Sequence, residues 1–253
     1  MSSIETPRRV ILLGASNVWF SQAWWLPALR QDRNGPCEVL GAYGHGRSYG
    51  LRSRVGFRQL ESILRCGLWR ALDEGPTLPT TAVIADVGND IAYGVAVDRL
   101  LGWVEECVGR LLACGAGVTV SGLPTESVSR LSPASFSFLR RLLFPTHSID
   151  REEAISRMGA AEKGLERMAD RHHLRFIPTE LNWYRLDPIH IRPSKRRQAW
   201  QRLLYREELS EPDLLERFAY LGLRPQRWWS WGQECTARQP IIDLKSGFRL
   251  SLW

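Results

Sequence analysis

Short runs of aliphatic and β-branched residues alternate, over the first ~205 residues, with longer stretches whose apolar positions recur at helical spacing. The short runs predict five buried strands, and the longer stretches predict helices between them. The predicted strands cover residues 10–13, 37–40, 81–86, 117–121 and 175–177. The predicted helices cover residues 16–30, 51–72, 97–114, 150–172 and 194–208. Pro27 is expected to bend or end the first helix.

Glycine-containing turns follow most of the predicted strands and lead into the next helix. This order predicts an α/β fold with a doubly wound parallel sheet, which has helices on both faces. Asp150 and Glu153 form a capping box that predicts the start of the helix at residue 150. Ligands of such sheets bind beyond the carboxyl ends of the strands, so the residues just after each strand are the candidates for chemistry.

The strand–helix pattern breaks at about residue 209, and the remaining tail is rich in Trp, Pro and Arg. Two apolar runs separated by a turn with Gly247 predict a β-hairpin at its end. The chain is therefore expected to consist of an α/β domain over residues 1–208 and an extension over residues 209–253. This extension could cover a sheet edge, form a dimer contact or build part of a pocket, and the oligomeric state stays open.

The composition is that of an ordinary folded protein, with 253 residues of which 44% are hydrophobic and 24% are charged. It excludes disordered and collagenous chains. No apolar run approaches the ~20 residues of a membrane span, and the N-terminal run is too short for a signal peptide. We therefore expect a soluble, cytoplasmic protein. The five cysteines are widely spaced and include no CxxC, which favours reduced thiols over disulfides or a zinc site.

The net charge is +7, and only three of the 34 basic residues are lysines. A GC-rich genome, which favours arginine codons, would explain this without any partner. An anionic partner is the alternative, because guanidinium groups bind phosphate and carboxylate in a bidentate manner. The arginines form no recognition arm, and no nucleic-acid-binding motif is present. Nucleic acid is therefore not an expected partner.

Two candidate groups follow the first and second strands. Ser16 lies on a turn between a strand and a helix, where a hydroxyl could act as nucleophile and an N–H could stabilise an oxyanion. A plain helix N-cap is the alternative interpretation. Gly44 and Gly46 could present main-chain N–H groups to a ligand. A phosphate-binding loop is a competing interpretation, but GxxxxGK[ST] is absent.

Two further candidate groups follow later strands. Asn89 could donate its side-chain amide to an oxyanion, although Gly-Asn-Asp is also ordinary turn chemistry. Asp187 and His190 are three residues apart, close enough for the carboxylate to orient the imidazole as a general base. An accidental pairing of two polar loop residues is the alternative. Each signal is weak when taken by itself.

Taken in this order, the four segments resemble the SGNH hydrolases, also called GDSL esterases and lipases. The resemblance covers about residues 9–205 and implies the three-layer flavodoxin-like fold of that family. It implies hydrolysis of carboxylic (O-acyl) esters without metal or cofactor. It also implies a role for each matching residue. The catalytic triad consists of the nucleophile Ser16 with His190 and Asp187. The oxyanion hole consists of Ser16, Gly46 and Asn89, with Gly44 as the alternative glycine.

Three departures from the family pattern indicate a divergent subgroup. Ala15 replaces the acidic residue before the serine, Gly41 stands where asparagine is common, and Val87 replaces the first glycine of the third segment. The substrate therefore cannot be transferred from better-known members. We expect a small-molecule or carrier-linked acyl ester, with Arg47 as a candidate site for an anionic group. Trp19 is a candidate pocket wall, and packing in the core is the alternative interpretation. An acyltransferase with the same acyl-enzyme and a non-catalytic binding protein are the alternatives.

The segment 131–150 is long and apolar, and its place in the fold is open at the level of sequence. It could form a lid or a wall of the substrate pocket, or it could be a buried helix.

Overall fold

The computed structural model describes residues 7–30, 35–143, 149–207, 209, 220 and 222–253. Eleven strands lie in this part of the chain, in two sheets. They are β1 (Arg8–Leu13), β2 (Cys37–Ala42), β3 (Ser53–Val55), β4 (Arg58–Leu60), β5 (Thr80–Ile84), β6 (Gly117–Ser121), β7 (Arg175–Ile177), β8 (Arg227–Ser230), β9 (Gln233–Thr236), β10 (Ile242–Asp243) and β11 (Phe248–Leu252).

The helices of the described residues follow the strands in the alternation that the sequence predicts. Two short 3-10 helices lie at Ile63–Arg65 and Leu181–Trp183. The α-helices are α1 (Ser16–Phe20), α2 (Gln22–Arg30), α3 (Leu68–Glu74), α4 (Asn89–Ala92), α5 (Val97–Ala113), α6 (Thr125–Ser129), α7 (Pro133–Leu143), α8 (Arg151–His172) and α9 (Pro193–Leu204).

The central sheet has seven strands in the order β10-β11-β2-β1-β5-β6-β7. All neighbouring pairs are parallel except β10 and β11. From Arg9 onward β1 is buried, as expected for a strand with helices on both faces. One apolar cluster joins the sheet to α3, α5 and α8, and a second joins its other face to α2 and α9. The predicted three-layer α/β fold is confirmed.

The start of α8 also follows the prediction from the capping box. The Asp150 side chain accepts a hydrogen bond of 2.7 Å from the main-chain N–H of Glu153. This bond satisfies one of the N–H groups that a helix leaves unpaired at its first turn. The helix ends at His172, and His173 adopts a left-handed conformation.

The first predicted helix is wrong in its detail. It divides at Ser21 into α1 and α2, whereas Pro27 lies inside α2 and does not end it. The Ser21 N–H bonds the Val18 carbonyl at 3.3 Å, which ends the short first helix. Ser16 is the first of the five residues of α1.

The helix predicted over residues 51–72 is also wrong. The segment forms the antiparallel pair β3 and β4, a 3-10 helix and the shorter α3. Gly56 has φ +59, a left-handed conformation that turns the chain between the two strands. β4 then pairs with β8, which completes a second sheet in the order β3-β4-β8-β9. Local apolar spacing carries no information about this distant partner.

Residues after 209 contribute strands to both sheets. β10 and β11 form an antiparallel pair, and Gly247 between them has φ +83. β11 then runs parallel to β2 within the central sheet, and Trp253 donates its N–H to the Gly41 carbonyl at 2.8 Å. The position of a domain boundary near residue 209 stays a prediction, but the end of the chain is part of the central core.

Candidate active site

Ser16 lies at the carboxyl edge of the central sheet, as the first residue of α1 after the turn that follows β1. It is 5% exposed. The turn requires Gly14, because a Cβ there would lie 2.5 Å from Val18 Cγ2 and 3.1 Å from the Ala85 carbonyl oxygen. The Ser16 Oγ lies 2.9 Å from His190 Nε2. A serine hydroxyl from the first segment and an imidazole from the last are thus within hydrogen-bond distance.

Asp187 holds the other side of the His190 ring. Its Oδ2 lies 2.6 Å from His190 Nδ1, and its Oδ1 accepts the N–H groups of Ile189 and His190 at 3.2 and 3.1 Å. Burial raises the pKa of the Asp187 carboxyl, but the hydrogen bond and charge of His190 outweigh it and lower the pKa overall. An ionised carboxylate can only accept, so Nδ1 carries the proton and Nε2 is free to accept the Ser16 hydroxyl.

Asp86 organises the Ser16 turn from the neighbouring strand, and sequence reasoning missed it. It follows β5 with φ 58, and its Oδ2 accepts the N–H groups of Ala15, Asn17 and Val18 at 2.8, 3.0 and 3.3 Å. The N–H of Ser16 itself is not among these donors. The Asp86 carboxylate, from the segment after β5, thus binds this turn, although residue 15 of the turn is an alanine and has no carboxylate of its own. Its position at a strand's carboxyl end was a signal that could have identified it.

Asn17 links this turn to the His190 loop and was also missed. Its Nδ2 donates to Asp86 Oδ1 at 2.7 Å and to the Ile189 carbonyl at 2.9 Å. Its Oδ1 accepts the Ile191 N–H at 2.7 Å. One amide therefore holds the main chain on both sides of His190. The Asp86 carboxylate determines which end of the amide is the donor, because it can only accept.

Gly46 and Asn89 lie on the segments that follow β2 and β5. Gly46 has φ +62, and a Cβ there would lie 2.3 Å from Val55 Cγ2. Its carbonyl accepts the Tyr93 hydroxyl at 2.5 Å, which ties the loop to the end of α4. Asn89 is the first residue of α4, and its Nδ2 lies 3.5 Å from the Arg47 carbonyl. Gly44, with φ +154, accepts the Arg47 N–H at 3.1 Å.

The expectation that Arg47 binds an anionic substrate group needs correction. Its side chain is 1% exposed, and burial lowers its pKa. The guanidinium donates to the Glu61 carbonyl at 3.1 Å and to the main-chain oxygen of Trp253. Its donors therefore face the protein interior and join the segment after β2 to the end of β11. Sequence position beside the glycine-rich turn could not show which way the side chain points.

Trp19 lies in an aromatic group beside His190 that also contains Phe20 and His45. The Trp19 and His45 ring centroids are 4.2 Å apart, and the Phe20 ring meets the His190 ring edge-on at 5.3 Å. Burial lowers the pKa of His45 to about 4, with smaller contributions from the charges of His190 and Arg58. His45 is therefore neutral near pH 7. A substrate contact by Trp19 stays a prediction.

A cavity of about 110 Å³ lies beside Ser16, and Trp19, Phe20 and His45 are not among its lining residues. Ser16 and Asn89 line it, together with residues that follow β6 and residues of α7 and α8. Phe136 of α7 is one of them, so part of the segment 131–150 forms a pocket wall. Phe138 points outward and is 67% exposed, and Phe144 lies outside the described residues.

Three further features of the described residues concern metal binding, membrane spans and cysteines. In the parts of the chain that the structure describes, no group of three or more His, Cys, Asp or Glu residues is arranged to hold a metal ion. None of the helices described above combines the length and apolar composition needed to cross a membrane. All five cysteines are free, as expected.

Comparisons with known proteins identify the fold. No family model matches the chain, and no curated protein matches its sequence. The native aryl esterase of M. smegmatis aligns with a TM-score of 0.53 at 13% identity, over 78% of this chain and 99% of that chain. Its inhibitor-bound form aligns with a TM-score of 0.51 at 12% identity, over 78% and 99%. The chain therefore has the α/β fold of the SGNH hydrolases.

Proposed function

We propose that this protein is a serine esterase that hydrolyses carboxylic (O-acyl) esters. The observation that carries the proposal is the continuous hydrogen-bonded series from Ser16 Oγ through His190 to Asp187, at 2.9 and 2.6 Å. A nucleophile within reach of a base, which a third group orients, is the arrangement that acyl transfer requires. The fold it shares with the aryl esterase of M. smegmatis supports ester hydrolysis in general.

In the proposed first step, His190 Nε2 takes the proton of Ser16 as Oγ attacks the ester carbonyl carbon. The carbonyl π electrons move to the oxygen, and the N–H groups of Ser16 and Gly46 and the Asn89 amide stabilise the resulting oxyanion. When the oxyanion collapses, the bond to the alcohol oxygen breaks. His190 returns its proton to that oxygen, which leaves as the alcohol and leaves the acyl group on Ser16.

In the second step, water takes the place of the alcohol. His190 Nε2 removes a proton from the water, whose oxygen attacks the acyl carbon through a second tetrahedral intermediate. Collapse breaks the bond to Ser16 Oγ, which recovers its proton from His190, and the carboxylic acid departs. Asp187 holds the imidazole in the required tautomer and stabilises its charged form in both steps.

The Ser16 turn is prepared for this role by the groups around it. Asp86 takes the N–H groups of Ala15, Asn17 and Val18 and not that of Ser16. The Ser16 N–H belongs to the first residue of α1, where main-chain N–H groups have no partner within the helix. The proposed oxyanion hole thus uses the Ser16 N–H, which is not a donor to Asp86.

Labelling with a fluorophosphonate probe tests this proposal. Wild-type protein should be labelled, and Ser16→Ala should not be. Ser121→Ala is a matched control, because Ser121 is a buried serine in the wall of the same cavity and its hydroxyl bonds the Gly122 carbonyl. Labelling that persists in Ser16→Ala, or that is absent from wild type, contradicts the mechanism. Product analysis with an added alcohol then distinguishes hydrolysis from acyl transfer, since transfer would yield a new ester.

A further inference from the structure

The cavity beside Ser16 has two kinds of wall. Its inner wall is part of the protein core, with Leu123, Val128 and Met158 between 1% and 7% exposed. Its outer wall is half-buried and comes from α7 and the residues before it: Leu131, Phe136 and Leu139. Aliphatic and aromatic side chains thus form both sides of a space that begins at the proposed nucleophile.

Two charged side chains also line this cavity, and neither is without partners. Asp86 accepts three main-chain N–H groups and the Asn17 amide. Arg140 already makes an interaction within the chain. Burying a polar or charged ligand group against apolar walls costs free energy unless the walls supply hydrogen bonds. The lining therefore favours an alkyl group.

The geometry around His190 indicates which half of an ester occupies the cavity. The departing alcohol must receive its proton from His190 Nε2, so its oxygen must lie within hydrogen-bond distance of that nitrogen, in the plane of the ring. His190 does not line the cavity, and neither do Phe20, whose ring centroid is 5.3 Å from that of His190, and His45, whose ring centroid is 4.8 Å from that of Phe20. In the proposed mechanism, by contrast, the acyl carbon is bonded to Ser16 Oγ and its oxygen accepts a hydrogen bond from Asn89, and both of these residues line the cavity.

We propose that this cavity is an acyl site that accepts an unbranched aliphatic chain of medium length. The inference rests on the proposed esterase function and specifies its substrate class. A water-sized group needs about 10–15 Å³ of such a cavity. A volume of about 110 Å³ therefore holds roughly seven to eleven groups of that size, which corresponds to an acyl chain of about seven to eleven carbons.

Two ester series test the proposal on the wild-type protein. The first varies the acyl chain of 4-nitrophenyl esters from acetyl to dodecanoyl, and the second varies the alcohol of acetate esters from ethyl to octyl. We expect kcat/KM to rise by up to about fourfold for each added acyl methylene, to a maximum near eight carbons. In the alcohol series kcat/KM should vary by less than about threefold from ethyl to octyl. A flat acyl series, or a rise with the alcohol chain, overturns the assignment.

A variant with a matched control locates the effect in the cavity. Leu139→Trp places a larger side chain in the outer wall, so kcat/KM for the octanoyl ester should fall by about tenfold or more. The acetyl ester should stay within about twofold, which also shows that the variant is folded. Phe138→Trp alters the adjacent residue of α7, which is 67% exposed, and should leave both values unchanged. Equal losses on both esters in Leu139→Trp contradict the proposal.

Failure of this inference is distinguishable from failure of the proposed function. Hydrolysis that depends on Ser16 but shows no preference for acyl length rejects the acyl site and retains the esterase. Absence of both hydrolysis and fluorophosphonate labelling rejects the esterase, and the acyl site with it.

Discussion

Asp86→Asn is the substitution that tests most directly how the Ser16 turn and the His190 loop are held together. The asparagine oxygen can still accept the N–H groups of Ala15, Asn17 and Val18. In the wild-type protein, Asn17 Nδ2 donates a hydrogen bond of 2.7 Å to Asp86 Oδ1. In the variant, the NH₂ group of the asparagine takes the place of Oδ1, so two donors face each other. Asparagine also tolerates the left-handed φ of 58 at this position, so the backbone need not change.

The opposed donors force the Asn17 amide to flip or to move away. If it flips, its NH₂ group faces the Ile191 N–H and its oxygen faces the Ile189 carbonyl, so bonds of 2.7 and 2.9 Å are lost. Two lost hydrogen bonds with partly buried groups left unpaired cost about 2–4 kcal/mol. For a chain of this size that corresponds to a fall of about 5–15 °C in Tm. A displacement of His190 by ~1 Å would lower kcat/KM by about 10–100-fold.

Calorimetric unfolding gives the Tm, and hydrolysis of 4-nitrophenyl acetate gives kcat/KM. Titration with a fluorophosphonate normalises the rate to the folded, reactive fraction. Asp73→Asn is the control, because it removes the same charge from an exposed position on α3. It should change neither quantity.

A double variant tests whether Asp86 acts through Asn17. If it does, Asn17→Ala with Asp86→Asn should have about the same kcat/KM as Asn17→Ala, because the second change has nothing left to disturb. Losses that multiply in the double variant would refute the coupling. An unchanged kcat/KM in Asp86→Asn, despite a lower Tm, would show that the network contributes to stability without positioning His190.

Three further predictions concern single groups. Asn89→Ala should lower kcat/KM by about 10²–10³-fold in steady-state assays, because it removes one oxyanion donor, and a loss below tenfold contradicts that role. Arg47→Met should lower the free energy of unfolding in urea by about 2–4 kcal/mol, since the guanidinium donates to main-chain oxygens in the interior. Its hydrolysis of neutral and acidic esters should fall equally, and a selective loss on acidic esters would restore Arg47 as a substrate contact. Burial raises the pKa of Asp90 to about 6, so its contribution to stability is present below about pH 4 and is lost as pH rises to about 6. In urea unfolding at pH 4, 5, 6 and 7, the stability of wild type relative to Asp90→Asn should fall over that interval, and a constant difference contradicts the assignment.

The alternation of strands and helices could be predicted from the sequence because its signals are local. A run such as 117–121 is apolar and β-branched, and the structure has β6 over Gly117–Ser121. The residues that follow strands were identifiable for the same reason. Parallel strands end at one edge, so Ser16 and His190 could be expected to meet although 174 residues separate them.

Residues 51–72 show where local reasoning fails. Their apolar spacing suits a helix, but β4 pairs with β8 through Arg58 and Ser230. Pairing between strands so far apart in the chain depends on how the whole chain folds back. Propensity is a weak guide where such contacts determine the structure.

Asp86 and Arg47 show the same limit for side chains. Asp86 stood at the end of a predicted strand, but its role follows from the pairing of β5 with β1, which puts Leu13 beside Ile84. Arg47 stood in a glycine-rich loop beside the expected substrate, but β11 lies next to β2 and brings the Trp253 oxygen to its guanidinium. In both cases the decisive partner lies on another strand.

The sequence by itself determined the class of fold and the set of polar groups at the ends of its strands, because periodicity and turn chemistry act between near neighbours. Only the tertiary structure decided which of these groups meet, which way Arg47 points, and that an apolar cavity opens beside Ser16. The physical reason is that these properties depend on the order and register of strands and on the packing of α7 and α8 against them. They are contacts between distant parts of the chain, and no local pattern encodes them.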